Sequence, residues 1–118
     1  EAIENESQTS PTIIRLSNRY VMLFGYRGAK DFRHNGREAY RIGSAESPDL
    51  MNWTRTADPS FLEPSTEGWD SEMVTYPRFF LHGPRLFLLY CGNGFGLSGF
   101  GLAEIHLDES VKEVAVIA

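Results

Sequence analysis

One strand pattern occurs twice in this chain. Ser10-Pro11-Thr12-Ile13-Ile14 lies over Tyr76-Pro77-Arg78-Phe79-Phe80, and Arg19-Tyr20-Val21-Met22-Leu23-Phe24 over Arg85-Leu86-Phe87-Leu88-Leu89-Tyr90, both at an offset of 66 residues. A glycine-containing connection follows each copy. Arg41-Ile42-Gly43-Ser44-Ala45 then meets Gly99-Phe100-Gly101-Leu102-Ala103 at an offset of 58, so the copies differ by an insertion of eight residues. Two supersecondary units related in this way are the pattern of a radial β-repeat, each unit a small antiparallel sheet. A chain of 118 residues holds two such units, whereas a closed propeller needs at least about four.

The predicted architecture is all-β, a single domain over residues 1–118 made of two four-stranded antiparallel blades. Blade one takes in about residues 10–56: a short strand opened by Pro11, a near-continuous apolar run over 20–26, a third strand over 40–45, and an outer strand at Trp53-Thr54-Arg55-Thr56 with the indole packed inward. Proline is tolerated at a strand's first position, and a continuous apolar run suits a strand covered on both faces. Residues 57–73 contain Pro59, Pro64 and Gly68 and read as a crossing loop. Blade two runs over about 74–118. Its tail carries Val111, Val114 and Val116, enough for one more strand, which either completes the second blade as its outer edge or pairs with another chain.

The net charge of -5 argues against a nucleic-acid partner, because phosphate-backbone binders show a basic patch. Arg27, Lys30, Arg33, Arg37 and Arg41, with His34 among them, do form a local basic stretch, which reads as a solvated loop. Cys91 is the single cysteine, so an internal disulfide is impossible. The absence of any sign of an oxidising compartment favours a cytoplasmic location. At the end of an apolar strand, Cys91 is expected to be buried and inert. No apolar run approaches the roughly 20 residues of a membrane-spanning helix, so no membrane partner is expected. His82 and His106 read as surface residues, and no Cys/His spacing suits a metal. Gly94-Phe95-Gly96-Leu97-Ser98-Gly99 fits the dinucleotide-binding glycine pattern, but a strand rather than a helix follows, so the glycines read as a tight hairpin and no cofactor is expected.

Tyr40-Arg41-Ile42-Gly43-Ser44-Ala45-Glu46-Ser47-Pro48-Asp49-Leu50, with Trp53 and Arg55, resembles the blade phrase of five-bladed propeller glycoside hydrolases, the clan of arabinanases, xylosidases and fructosidases. Gly68-Trp69-Asp70-Ser71-Glu72-Met73-Val74-Thr75-Tyr76-Pro77, together with Leu89 through Gly101, is similar to uncharacterised relatives of that clan. The similarity covers residues 10 to about 104. Gly43 and Gly101 are expected where neighbouring strands or blades approach closely, and Trp53 as a packing plug between blades.

The resemblance implies that the innermost strand of each blade starts at an axial funnel holding the substrate. It also implies carboxylates from separate blades: a base, a general acid, and a third that tunes the acid. Hydrolysis needs two carboxyls flanking the bond, about 6.5–9.5 Å apart in inverting enzymes and closer in retaining ones. The clan's carboxylate stands immediately before the strand-opening proline or two places ahead of it, and Ser10 and Tyr76, or Thr9 and Thr75, hold those positions here. The nearest acids are Asp70 and Glu72 on one side and Glu6 on the other. Glu72 is the expected general acid or substrate ligand and Asp70 its partner, unless both are ordinary loop carboxylates. As an acid, Glu72 would need a pKa raised by burial or a like charge. Arg27, His34 and Arg41 are candidates for binding sugar hydroxyls or an acidic sugar, and Tyr76, Asn93 and Ser98 for neutral polar contacts.

Two open blades expose apolar faces that need cover. Either the chain is a fragment of a longer enzyme, or it self-associates as a homo-oligomer, or its sheets close on each other; self-association is the expected solution because symmetry covers a repeated face. Two functions follow: a non-catalytic sugar-binding or structural module, which the missing acids before Pro11 and Pro77 favour, or a glycoside hydrolase using Glu72 and Asp70 with carboxylates from a partner subunit.

Overall fold

A computed structural model of the chain describes residues 5–56, 61–107 and 114–118. Among these it shows two antiparallel sheets and no helix. The first sheet is built from β1 (Glu6–Arg15), β2 (Tyr20–Gly28), β3 (Arg41–Ser47), β4 (Thr54–Arg55) and β8 (Ala115–Val116), in the order β4-β3-β2-β1-β8. The second is β5 (Thr75–His82), β6 (Arg85–Cys91) and β7 (Phe100–Ile105), in chain order.

Short turns set these registers. The Leu16 amide donates to the Arg19 carbonyl at 2.8 Å, closing the β1–β2 turn at Ser17-Asn18. Between β3 and β4, Asp49 accepts from the amides of Met51 at 2.9 Å and Asn52 at 2.8 Å. Those bonds, the Asn52 amide foremost, hold the Asp49 carboxyl well below the usual carboxylate range.

Alternation then decides which residues enter the core. Thr12 and Ile14 of β1, Leu23 of β2 and Ile42 of β3 are fully buried or nearly so, as are Val74, Phe79, Leu86 and Leu88 beside and within the second sheet. Their apolar members and Leu16 form one cluster between two sheets packed face to face. Burying each large apolar side chain contributes roughly 1.5–3 kcal/mol. Thr12 joins the sheets with polar bonds too: its Oγ1 accepts from the Phe79 amide at 3.1 Å and donates to the Ala118 carbonyl at 2.7 Å.

The sheets hold five and three strands rather than four and four, and the tail accounts for part of the difference. Instead of edging the second sheet, β8 pairs with β1, placing Val116 opposite Ile14 and Ala115 opposite Arg15. The edge of β1 away from β2 is a row of unpaired backbone groups, which the tail satisfies through Ile13 amide to Ala118 carbonyl and Ile117 amide to Ile13 carbonyl, each 2.8 Å. Ser110 and Val111 of the expected tail strand, and part of the crossing loop, lie outside the described residues. β1 is also longer than expected, because Pro11 sits at a register shift between Thr9 and Thr12, where its missing N–H breaks no ladder bond.

Trp53 stands just before β4, half-buried and outside the cluster between the sheets. Its Nε1 donates to the Leu50 carbonyl at 2.9 Å, and its ring lines a cleft of about 260 Å³ with Met22, Phe24 and Ala45. The two glycines do mark close approaches, and aromatic rings fill the space. A Cβ on Gly43 would stand 2.9 Å from the Phe24 ring, and one on Gly101 2.6 Å from the Trp69 indole.

Candidate functional site

Strands β1 and β5 open alike. Ser10 and Tyr76 both adopt a left-handed φ of 53°, and each is followed by proline within a register shift, between Thr9 and Thr12 in one strand and Thr75 and Arg78 in the other. The threonines before them converge: a Cβ on Gly25 would lie 3.4 Å from both Thr9 Cγ2 and Thr75 Oγ1. Thr75 is fully buried, and its hydroxyl has no hydrogen-bond partner among the described residues. Of the four residues at the positions where the resemblance sets a carboxylate, Thr75 is enclosed, Thr9 and Ser10 are half-buried, and Tyr76 is exposed.

A cleft of about 570 Å³ opens nearby. Three segments wall it: the β2–β3 loop with Phe32, Arg33, His34 and Asn35, the approach to β5 with Glu72 and Met73, and the glycine hairpin between β6 and β7 with Gly94 and Phe95. The hairpin forms as the sequence implied, with Gly94, Gly96 and Gly99 at positive φ.

Two side chains tie these segments together. Arg41 donates to the carbonyls of Tyr40 at 2.9 Å and Glu72 at 3.0 Å through Nη1, and to that of Gly36 at 3.0 Å through Nη2. Asn93 Oδ1 accepts from the amides of Glu72 at 2.7 Å and Met73 at 3.2 Å, while its Nδ2 donates to the Gly68 carbonyl at 3.1 Å and Ser71 Oγ at 3.3 Å. Both predicted binding residues thus spend their polar atoms chiefly on the backbone that shapes the cleft.

The floor is aromatic. Phe32 meets Tyr40 and Phe95 edge-on, with centroids 6.1 and 6.4 Å apart, and Tyr40 meets Phe95 at 5.8 Å. Arg27 lies 3.7 Å from the Phe32 centroid and donates through Nε to the Tyr40 hydroxyl at 3.3 Å and through Nη1 to the Gly28 carbonyl at 2.9 Å. Tyr76 is exposed, with its ring 6.4 Å from that of Tyr40.

Of the predicted residues, Glu72 and His34 reach the cleft. Glu72 is exposed, and its carboxylate has no partner among the described residues. His34 Nδ1 lies 3.3 Å from Asp31, both side chains largely in solvent. Asp70 goes elsewhere: it is buried and accepts from the Tyr90 hydroxyl at 3.0 Å beside the stacked Trp69 and Tyr90 rings. Burial, helped by that bond, pushes Tyr90 up to about 12. Glu6, the acid nearest Pro11, is held by Arg55 at 2.7 and 3.3 Å, with the guanidinium 5.0 Å from the Phe24 centroid and 4.8 Å from that of Tyr26. Ser98 is exposed in the glycine hairpin and does not line the cleft. Cys91 is half-buried, and His82 and His106 are exposed.

Sequence reasoning missed Phe32, Phe95 and Asn35 as cleft residues and left Arg33 in a solvated stretch. The signal available was two phenylalanines placed in polar or glycine-rich loops, where nothing in the strand pattern needs them. Among the described residues no group of three or more His, Cys, Asp or Glu could hold a metal ion. Nor is any helix there long and apolar enough to cross a membrane, which leaves strand-built barrels aside.

No protein-family model matches the chain. It is 37% identical over 103 residues to uncharacterised proteins of two Mycobacterium tuberculosis strains, CDC 1551 / Oshkosh and H37Rv. The match takes in 87% of this chain and 31% of each relative, so the chain spans about a third of the length of the curated relatives it matches. Among solved structures it resembles one described as a complex of BT0996 with RGII, with a TM-score of 0.68, 18% identity, and coverage of 88% of this chain and 34% of that one. It also resembles one described as "Glycoside hydrolase", with a TM-score of 0.70, 17% identity, and coverage of 99% and 38%. At such identities the likeness defines the fold, a glycoside hydrolase-like all-β architecture.

Proposed function

We propose that this chain contributes two blades of a five-bladed propeller, and that its cleft binds a carbohydrate without supplying a complete hydrolytic pair. The separation of the two predicted carboxylates carries this reading: Glu72 faces the cleft, while Asp70 is buried on Tyr90. An aromatic floor with polar side chains at its rim is chemistry suited to a sugar, whose C–H faces pack on rings and whose hydroxyls bond at the edge. Sharing a fold with a glycoside hydrolase is consistent with that ligand class. The matched bulges at Ser10 and Tyr76 support the two sheets as repeats of one unit.

The outer face of the second sheet carries exposed apolar side chains and that of the first an apolar-lined cleft, and further blades cover both in this reading. Copies of the chain or the additional length that its relatives carry would supply those blades. A carbohydrate array, run beside hydrolysis of aryl glycosides, tests the proposal. Binding without turnover is expected. Turnover abolished by Glu72→Gln would instead support the hydrolase reading, with the second carboxylate coming from another blade or subunit. Neither binding nor turnover on any sugar would contradict both.

A further inference from the structure

We propose that the cleft selects a saccharide bearing a carboxylate, a uronic-acid unit, and that Arg33 is the residue that reads it; this rests on the carbohydrate-binding reading above. Residues 27–41 carry five basic and two acidic side chains, a local excess of positive charge in a chain of net charge -5. Folding brings part of this stretch to the cleft wall.

The basic side chains of this stretch are not equivalent. Arg27 is bonded to Tyr40 and Gly28, Arg41 to backbone carbonyls, and His34 has Asp31 beside it. Arg33 lines the cleft with its guanidinium 4.6 Å from the Phe32 centroid and 6.0 Å from that of Phe95, and it has no carboxylate partner among the described residues. Stacking on rings orients the planar fork while leaving its N–H donors for a ligand, and that fork matches a carboxylate in two parallel bonds. Glu72, on the same cleft, repels an anion near itself and accepts from hydroxyls, so the ligand is oriented with its carboxylate toward Arg33.

The test compares affinities for an oligogalacturonide and for the same oligomer with its carboxyls reduced to alcohols, using the full chain, by calorimetric titration at low salt and again at high salt. The native chain is expected to prefer the acidic oligomer by about tenfold or more, with the preference shrinking as salt screens the pair. Arg33→Gln is expected to erase the preference, and Arg33→Lys to restore part of it. Melting curves confirm that each variant is folded. Equal affinity of the native chain for acid and alcohol overturns this inference while leaving carbohydrate binding intact. Failure to bind either, or any other sugar, overturns the carbohydrate reading itself. An undiminished preference in Arg33→Gln removes Arg33 from the role.

Discussion

Asn93 shows how the fold can occupy a residue whose type suits a ligand contact. As a candidate for neutral polar contact with a sugar it has little capacity to spare, since its amide is bonded to two backbone N–H groups, a carbonyl and a hydroxyl. Asn93→Ala should therefore destabilise the fold by about 1–3 kcal/mol, the cost of leaving such groups unpaired, and speed amide exchange at Glu72 and Met73. Unchanged exchange there would contradict the clamp. Tyr90 carries a pH prediction. Burial first, and the Asp70 bond second, raise its folded pKa from 10.0 to about 12. The fold favours the protonated phenol, so this stabilisation is complete below pH 10 and is lost as pH rises towards 12. Tyr26, also raised mainly by burial, acts in the same direction. Denaturant midpoints should fall across that window, and less steeply in Tyr90→Phe. Glu72 stands at the cleft and Asp70 does not, and nothing in sequence spacing reveals that Tyr90 donates to Asp70 as a buried partner.

At the scale of elements, the repeated pattern carried the strands, and local chemistry carried the turns. Every strand from β1 to β7 overlaps a segment marked by the repeat or, for β4, by the outer strand expected at 53–56, although the bulge let β1 start earlier than its proline suggested. The tail could not be assigned: a two-residue strand has too little pattern to choose between the free edges of two sheets. Thr12 ties the chosen edge to the second sheet through Ala118 and Phe79. Thr12→Val keeps the shape but leaves the buried Phe79 N–H without its acceptor, so a loss of about 1–3 kcal/mol is expected in denaturant unfolding. A neutral result would mean that the hydroxyl's bridge does not hold the sheets together.

At the scale of the whole molecule, the larger buried cluster lies between the sheets, a smaller one gathers Ala39, Tyr40 and Met73, and the second sheet turns an apolar face outward. On the second sheet Phe80, Phe100 and Leu102 are 46%, 75% and 56% exposed; on the first, Met22, Phe24 and Trp53 surround the smaller cleft. Exposed apolar side chains gathered on one sheet face mark a surface that another unit can cover. Light scattering on the isolated chain should give a mass above its 13.3 kDa, reduced by paired Phe80→Glu and Leu102→Glu substitutions. A native chain that stays monomeric at high concentration would mean that copies do not cover these faces. The need for cover was legible from two repeats in so short a chain, whereas the cleft was not, since it exists only where three loops distant in sequence meet.

The most direct test of the account is an NMR titration of the labelled chain with an acidic oligosaccharide, following backbone amides. Shifts confined to Phe32, His34, Glu72, Phe95 and their neighbours are the predicted result. Shifts centred on Met22, Phe24 and Trp53 at the outer cleft, or no saturable shifts with any saccharide, would contradict it.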